Sequence, residues 1–203
     1  NTNLPRLLKR MQDLRIRRMM VRLGMINPQH LVENMEIIDI MRETPFVFRF
    51  IHVPVQSGSD RVLMVMNRKY SVDDYREIVK EVRKDSMFNV MTDMIVGHPG
   101  EEEDDFEESL RLVGETEPDT VNVSKFSPRP GTASARMEQI DRSVVNERCK
   151  RMSEAANRVA LKRNLQWVGK ITRGVIVERV KTNIAKNLYY KSVAVEDGRL
   201  NDE

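Results

Sequence analysis

Three short stretches of the chain carry residue types from which a small-molecule site can be built. Pro54-Val55-Gln56-Ser57-Gly58-Ser59 offers a side-chain amide, two hydroxyls and a glycine that lets a ligand approach the main chain. Thr92 to Glu101 begins as an apolar run interrupted by Asp93, and it breaks at Gly97-His98-Pro99-Gly100 directly before an acidic series. Ser127-Pro128-Arg129-Pro130-Gly131-Thr132 is a stiff turn that presents one guanidinium and one hydroxyl. Arg68, in Met66-Asn67-Arg68, is either a carboxylate clamp or a solvated cation at a helix end. The Gln56 loop suits sugar hydroxyls or an amino acid head group. Plainer readings stand beside these: Gln56 to Ser59 can cap a helix beginning at Asp60, and Gly97 to Gly100 can be only a strand-to-helix turn.

Other reactive side chains are less suggestive. His52 and His98 lack partners at metal-ligand spacing and read as structural or surface histidines. Cys149 is the only cysteine, so it can form neither an internal disulfide nor a thiolate cluster, and it reads as an inert thiol. Glu101 to Asp105, followed by Glu107 and Glu108, reads as an acidic helix start and a solvated face rather than a hard-cation site.

The elements that must position these stretches follow from periodicity. Four apolar runs, Met19 to Leu23, Phe46 to Val55, Asn89 to Val96 and Thr120 to Phe126, read as buried strands. Between them, Val72 to Lys84 places Val72, Tyr75, Ile78, Val79 and Val82 on one helical face, with Ser71 as N-cap and Asp73 and Asp74 in the first turn. Asp104 to Thr116 turns Phe106, Leu110 and Val113 inward. Strands and helices alternating at about 30 to 40 residues per unit predict an α/β fold of parallel strands, whose functional loops gather at the carboxyl ends of the strands.

A long helix from Ser143 to about Leu165 then leaves the α/β region. Beyond Trp167-Val168-Gly169, alternation in Lys170 to Val180, a turn at Thr182-Asn183 and a strand-like Asn187 to Val195 predict a small β domain. The implied division is 1–142, 143–165 and 166–203. Within Gln166 to Val193 stand six basic side chains, Lys170, Arg173, Arg179, Lys181, Lys186 and Lys191, against Glu178 alone. Such a surface suits a phosphate backbone, or is simply a basic solvated hairpin.

Composition bounds the rest. The 203 residues are enough for one ordinary core, and a net charge of +3 gives no strong bias by itself. No apolar run reaches the roughly 18 residues needed to cross a bilayer and no leader opens the chain, so a cytoplasmic protein without a membrane partner is expected. Aromatic residues at 5% argue against a large stacking platform.

Taken in order and spacing, HVPVQSGSDRVLMVMNRKYS, TDMIVGHPGEEEDDFEESL and KFSPRPGTASARM resemble the methylthiotransferase family of radical S-adenosylmethionine (SAM) enzymes. RRMMVRLGMINPQHL fits that family's preceding strand, and WVGKITRGVIVERV with NLYYKSVAVEDG resembles the start of its RNA-binding TRAM domain. The resemblance covers nearly the whole chain. It implies a barrel-like domain in which one 4Fe–4S cluster binds and cleaves S-adenosylmethionine while a second takes part in sulfur insertion, the product being a methylthio group on an unactivated carbon. PDTVNVSKFSPRPGT and MINP resemble the tRNA branch that acts on threonylcarbamoyladenosine beside the anticodon; another branch modifies an aspartate of a ribosomal protein.

Carried over by position, the resemblance lays Gln56, Ser57, Gly58, Ser59 and Asp93 against S-adenosylmethionine, offers Arg68 to its carboxylate, and puts Arg129 and Thr132 on the substrate side of the barrel mouth. His98 stands where the family usually has an aromatic residue. The family's clusters need a CxxxCxxC loop and three further cysteines, so a chain with Cys149 alone binds neither. A closed eight-unit barrel takes about 250 residues, whereas four units are legible here. The expectation is therefore the later half of a radical SAM barrel plus an incomplete TRAM module, inactive in isolation, with self-association through the open edges at Met19 to Leu23 and Thr120 to Phe126. The residues do not identify a sulfur donor. The rival from another class is an RNA-binding protein that keeps the scaffold without the catalysis.

Overall fold

The computed structural model describes residues 3–13, 19–179 and 182–196. Its central feature is a parallel sheet of β1 (Phe50–His52), β2 (Asn89–Val96) and β3 (Thr120–Lys125), in that spatial order. Parallel neighbours require crossovers, and these are supplied by α4 (Asp60–Val65) and α5 (Val72–Val82) between β1 and β2, and by α6 (Glu103–Thr116) between β2 and β3. The remaining helices are α1 (Leu4–Asp13), α2 (Pro28–Val32), α3 (Glu36–Glu43) and the long α7 (Arg142–Leu165). A second, antiparallel sheet follows, of β4 (Gly174–Arg179), β5 (Asn183–Asn187) and β6 (Ser192–Val195).

The anticipated crossover helices form for the anticipated reasons. Ser71 Oγ accepts from the Asp74 N–H at 3.1 Å while Asp74 Oδ2 accepts from the Ser71 N–H at 2.7 Å, a capping box that starts α5. Val72, Tyr75, Ile78, Val79 and Val82 are all buried on its inner face. In α6 Phe106, Leu112 and Val113 are fully buried, while Leu110 is only partly covered. At about 1.5 to 3 kcal/mol for each large apolar side chain, burial of this helix layer against the sheet is the main stabilising term.

Three differences from the sequence reading have local causes. Met19 to Leu23 is extended but is not a strand; it makes an isolated parallel bridge from Val21 to Val47, and Met25 makes another to His52. The run from Phe46 to Val55 shortens to three residues. Its start diverts the Arg49 N–H to the Leu188 carbonyl at 2.8 Å, and at its end the Val55 N–H leaves the ladder for Thr92 Oγ1 at 3.1 Å. In the small sheet the chain reverses between Arg179 and Asn183, beside the expected turn, but the expected strand Asn187 to Val195 is broken by a second reversal at Leu188 to Lys191, between β5 and β6. Asn187 Oδ1 accepts the N–H groups of Tyr189 and Lys191, both at 3.0 Å, and Tyr190 takes a left-handed φ of 58°.

That hairpin tip fixes where the small sheet sits. Leu188 bonds to Arg49, the Tyr189 carbonyl accepts from Asn89 Nδ2 at 2.9 Å, and the Tyr190 ring packs on Phe48 and Phe50 with centroids 4.9 and 5.0 Å away. Arg49, Phe50 and Asn89 are at the amino ends of β1 and β2. The small sheet therefore covers the amino-terminal end of the parallel sheet, and the carboxyl ends stay open.

Candidate functional site at the carboxyl ends of the strands

Along β2, burial alternates: Val90, Thr92, Met94 and Val96 face the helices, whereas Met91, Asp93 and Ile95 face the concave side. The register sets Asp93 beside Asn122 and Ile95 beside Ser124. One strip of the sheet thus carries His52, Asp93, Asn122 and Ser124, an unusually polar set for one face of a parallel sheet. This strip opens onto a cavity of about 940 Å³ lined by, among others, Gln56, Arg68, Asp93, Asn122, Lys125, Arg129, Thr132 and Ser134.

Of the residues expected to form the site, Gln56, Arg68, Asp93, Arg129 and Thr132 come together here. Gln56 ends β1's extension: its N–H donates to the Asp93 carbonyl and its carbonyl accepts from Ile95, both at 2.9 Å, with φ at 71°. A non-glycine residue held in the left-handed region is strained by about 1 to 2 kcal/mol. Arg68 Nε is buried without a hydrogen-bond partner among the described residues, which is the arrangement an incoming carboxylate satisfies. Asp93 Oδ1 accepts from His52 Nε2 at 2.9 Å and from Asn122 Nδ2 at 2.8 Å. His52 is therefore paired, which its spacing from the other histidines could not reveal. Asn122 was detectable as the polar interruption in Val121-Asn122-Val123.

Ser57, Gly58 and Ser59 do not line this cavity. They pack against α6: the Gly58 N–H donates to Ser109 Oγ at 2.8 Å, and a Cβ on Gly58 would stand 2.4 Å from Ser109 Cα. Ser59 occupies the N-cap position of α4 without capping it, because its hydroxyl donates to Asp105 Oδ1 at 2.6 Å. Asp105 also receives Arg61 and the Glu102 N–H. Burial alone would raise the Asp105 pKa, but these donors outweigh it and hold the carboxyl below its ordinary value.

The Gly97 loop is held from behind. Glu101 Oε2 accepts from the Gly97 N–H and from Arg148 Nη1 of α7, each at 2.9 Å. Burial dominates and raises the Glu101 pKa. The imidazole of His98 lies edge-on to Phe126, centroids 4.8 Å apart, and its Nε2 is 3.1 Å from Ser134 Oγ. Histidine thus does an aromatic side chain's packing at this position. Burial lowers its pKa, so it is neutral near pH 7.

The basic residues of the small sheet are dispersed. Arg173 and Arg179 are exposed, Lys170 is exposed beside Met87, and Lys186 lies over the Tyr190 ring at 4.3 Å while donating to Ser192. Lys191 is not a free surface cation: its Nζ is 3.1 Å from Asp119 Oδ1 in a buried ion pair. Lys181 lies outside the described residues. Lys170 beside Met87 and Lys191 on Asp119 lie toward the amino end of the parallel sheet, opposite the carboxyl ends where the cavity opens.

Among the described residues no group of three or more histidine, cysteine or acidic side chains is disposed to hold a metal. No helix among them is long and apolar enough to cross a membrane.

Comparison with known proteins agrees with this geometry. Residues 1–113 match the Radical SAM superfamily. The chain is 38% identical over 183 residues to a probable threonylcarbamoyladenosine tRNA methylthiotransferase of Pyrococcus horikoshii, covering 88% of this chain and 43% of that protein. It is 40% identical over 153 residues to the threonylcarbamoyladenosine tRNA methylthiotransferase of Homo sapiens, covering 75% of this chain and 26% of that one. The chain thus spans less than half the length of these curated relatives. Among solved structures, coproporphyrinogen III oxidase of Escherichia coli, a radical SAM enzyme, superposes with a TM-score of 0.61 at 17% identity, over 76% of this chain and 36% of that one. With the matched family spanning more than half of its residues and the same parallel α/β framework beneath them, this chain belongs to the radical SAM superfamily.

Proposed function

We propose that this chain is the cofactor- and substrate-facing part of a tRNA methylthiotransferase that modifies threonylcarbamoyladenosine beside the anticodon. The observation that carries the proposal is the identity of 36 to 40% to proteins of that name over 75 to 95% of the chain. S-adenosylmethionine, when bound, supplies the radical chemistry of the class. Its carboxylate suits Arg68, whose buried Nε lacks a partner, and its hydroxyl and amino groups suit Gln56 and Asp93. Arg129 and Thr132 stand on the exposed wall of the same cavity, where a nucleoside would enter.

The iron–sulfur requirement is met differently. Cys149 is alone, and burial raises its thiol pKa, the opposite of what a metal-bound thiolate needs. The residues present do not fit a cluster, so the two 4Fe–4S clusters of this proposal are held by other parts of the enzyme, and the chain by itself is catalytically inactive. A tRNA substrate implies a cytoplasmic location. Exposed Lys170, Arg173 and Arg179 would meet the RNA away from the modified base.

The test is mass spectrometry of the nucleoside beside the anticodon in cells expressing the full gene product, with and without Asp93→Ala. A methylthio group lost in the variant supports the reading. Unmodified tRNA in the parent, with a methylthio group found instead on a ribosomal protein, overturns the substrate assignment.

A further inference from the structure

The carboxylate of Asp93 is pinned from both sides of its strand. A carboxylate turns readily about its terminal torsion, which has broad, two-fold preferences. Here one oxygen, Oδ1, receives two donors, His52 Nε2 from β1 at 2.9 Å and Asn122 Nδ2 from β3 at 2.8 Å. Oδ2 has no partner among the described residues, and the side chain lines the large cavity. The His52 and Asp93 side chains are only 14% and 23% exposed, so their pairing is less screened than a surface ion pair. Donation from Nε2 requires the hydrogen there, which selects one of the two neutral tautomers or the imidazolium.

We propose that His52 is a positioning residue: together with Asn122 it occupies Oδ1 of Asp93 and so aims Oδ2 at a hydrogen-bond donor of the cofactor in the cavity. The inference rests on the reading that this cavity takes S-adenosylmethionine, and it assigns His52 an action through Asp93, without contact to the ligand. Holding an acceptor before the ligand arrives removes an ordering cost from binding. The three strands contribute one residue each, so the arrangement depends on the parallel register that sets Asp93 beside Asn122.

The experiment is calorimetric titration of S-adenosylhomocysteine into the 203-residue chain and its variants, with far-UV circular dichroism to establish that each is folded. His52→Leu should weaken binding about tenfold, the loss of one charge-assisted hydrogen bond. His52→Gln, whose amide can donate near the position of Nε2, should recover most of the affinity. Asp93→Asn keeps an acceptor for His52 and Asn122 but presents an NH2 donor to the ligand, so it too should weaken binding. In that background His52→Leu should cost less than about twofold more, because its effect passes through the carboxylate. Full affinity in His52→Leu, or equal and additive losses in the two backgrounds, overturns the positioning role while leaving the cavity assignment intact if Asp93→Asn and Arg68→Ala bind weakly. Unchanged affinity in both of those variants, or no binding by the parent chain, overturns the cavity assignment and the positioning role with it.

Discussion

Replacing Asp119 by asparagine tests how the small sheet is fastened to the amino-terminal end of the parallel sheet. The Asp119 side chain is wholly buried just before β3, and one carboxylate serves three cations. Oδ2 accepts from Arg83 Nη1 and Nη2, both at 3.1 Å, and from the Val90 N–H at 3.0 Å. Oδ1 accepts from Arg163 Nε at 3.4 Å and forms an ion pair with Lys191 Nζ at 3.1 Å. Burial pulls the Arg83 pKa down against the attraction of Asp119, with Arg163 adding repulsion, so Arg83 has no surplus of favourable interaction. Nor can they leave readily. Arg83 Nη2 is tied to the Glu117 carbonyl at 2.6 Å and Arg163 Nη2 to the Ser86 carbonyl at 2.7 Å. Asp119→Asn therefore strands buried positive charge, a loss of about 3 to 5 kcal/mol. At about 2 to 4 °C per kcal/mol for a chain of this size, Tm falls by about 6 to 20 °C. Lys191→Met, which removes one cation and leaves the carboxylate paired, should change Tm by much less. Thermal unfolding followed by circular dichroism measures the first effect, and hydrogen exchange at Leu188 to Lys191 reports whether the hairpin tip is released. A fall below about 3 °C with unchanged protection of the tip would refute the reasoning.

Four other outcomes are expected. Gly58→Ala should destabilise by about 1 to 3 kcal/mol, because its new Cβ meets the α6 backbone at Ser109, read as a lowered urea midpoint. Gln56→Gly should relieve the left-handed strain and leave Tm unchanged or slightly raised while weakening S-adenosylhomocysteine binding; a fall in both would show that the amide stabilises the fold. For His98, burial disfavours the imidazolium, so the unfolded chain takes up a proton that the native state resists. The stability this contributes is complete above the unfolded value of about 6.5 and is lost as pH falls through the lower folded value. His98→Phe should retain the ring contact with Phe126 and flatten the decline in Tm between about pH 7 and 5. β3 pairs only with β2 among the described residues, so its free edge should support association of the isolated chain, measured as a mass above 23.7 kDa by light scattering.

Local sequence made much of this legible. β2 has the predicted bounds, Asn89–Val96, because a largely apolar eight-residue run closed by Gly97 suits a strand of that length. α5 was readable from Ser71, Asp74 and five apolar residues at helical spacing, all of them local signals. The loops at the strand ends were identifiable as a set because parallel topology gathers them. Within the Gln56 loop, however, residue type could not separate the amide that faces the cavity from the serines and glycine that face α6. Backbone direction decides that, and it turns on the φ of a single residue, Gln56.

What the sequence by itself determined is therefore β2, the crossover helices α5 and α6, the parallel α/β class and the end of the sheet where chemistry must lie, since these follow from periodicity and chain connectivity. Only the tertiary structure decided which polar side chains are partners. His52, Asp93 and Asn122 are 41 and 29 residues apart, and strand register alone makes them neighbours. The same holds for Lys191: its charge suggested a nucleic-acid surface, but the docked hairpin places it on Asp119. Charge is a property of the residue, whereas its use depends on what the fold brings within about 3 Å.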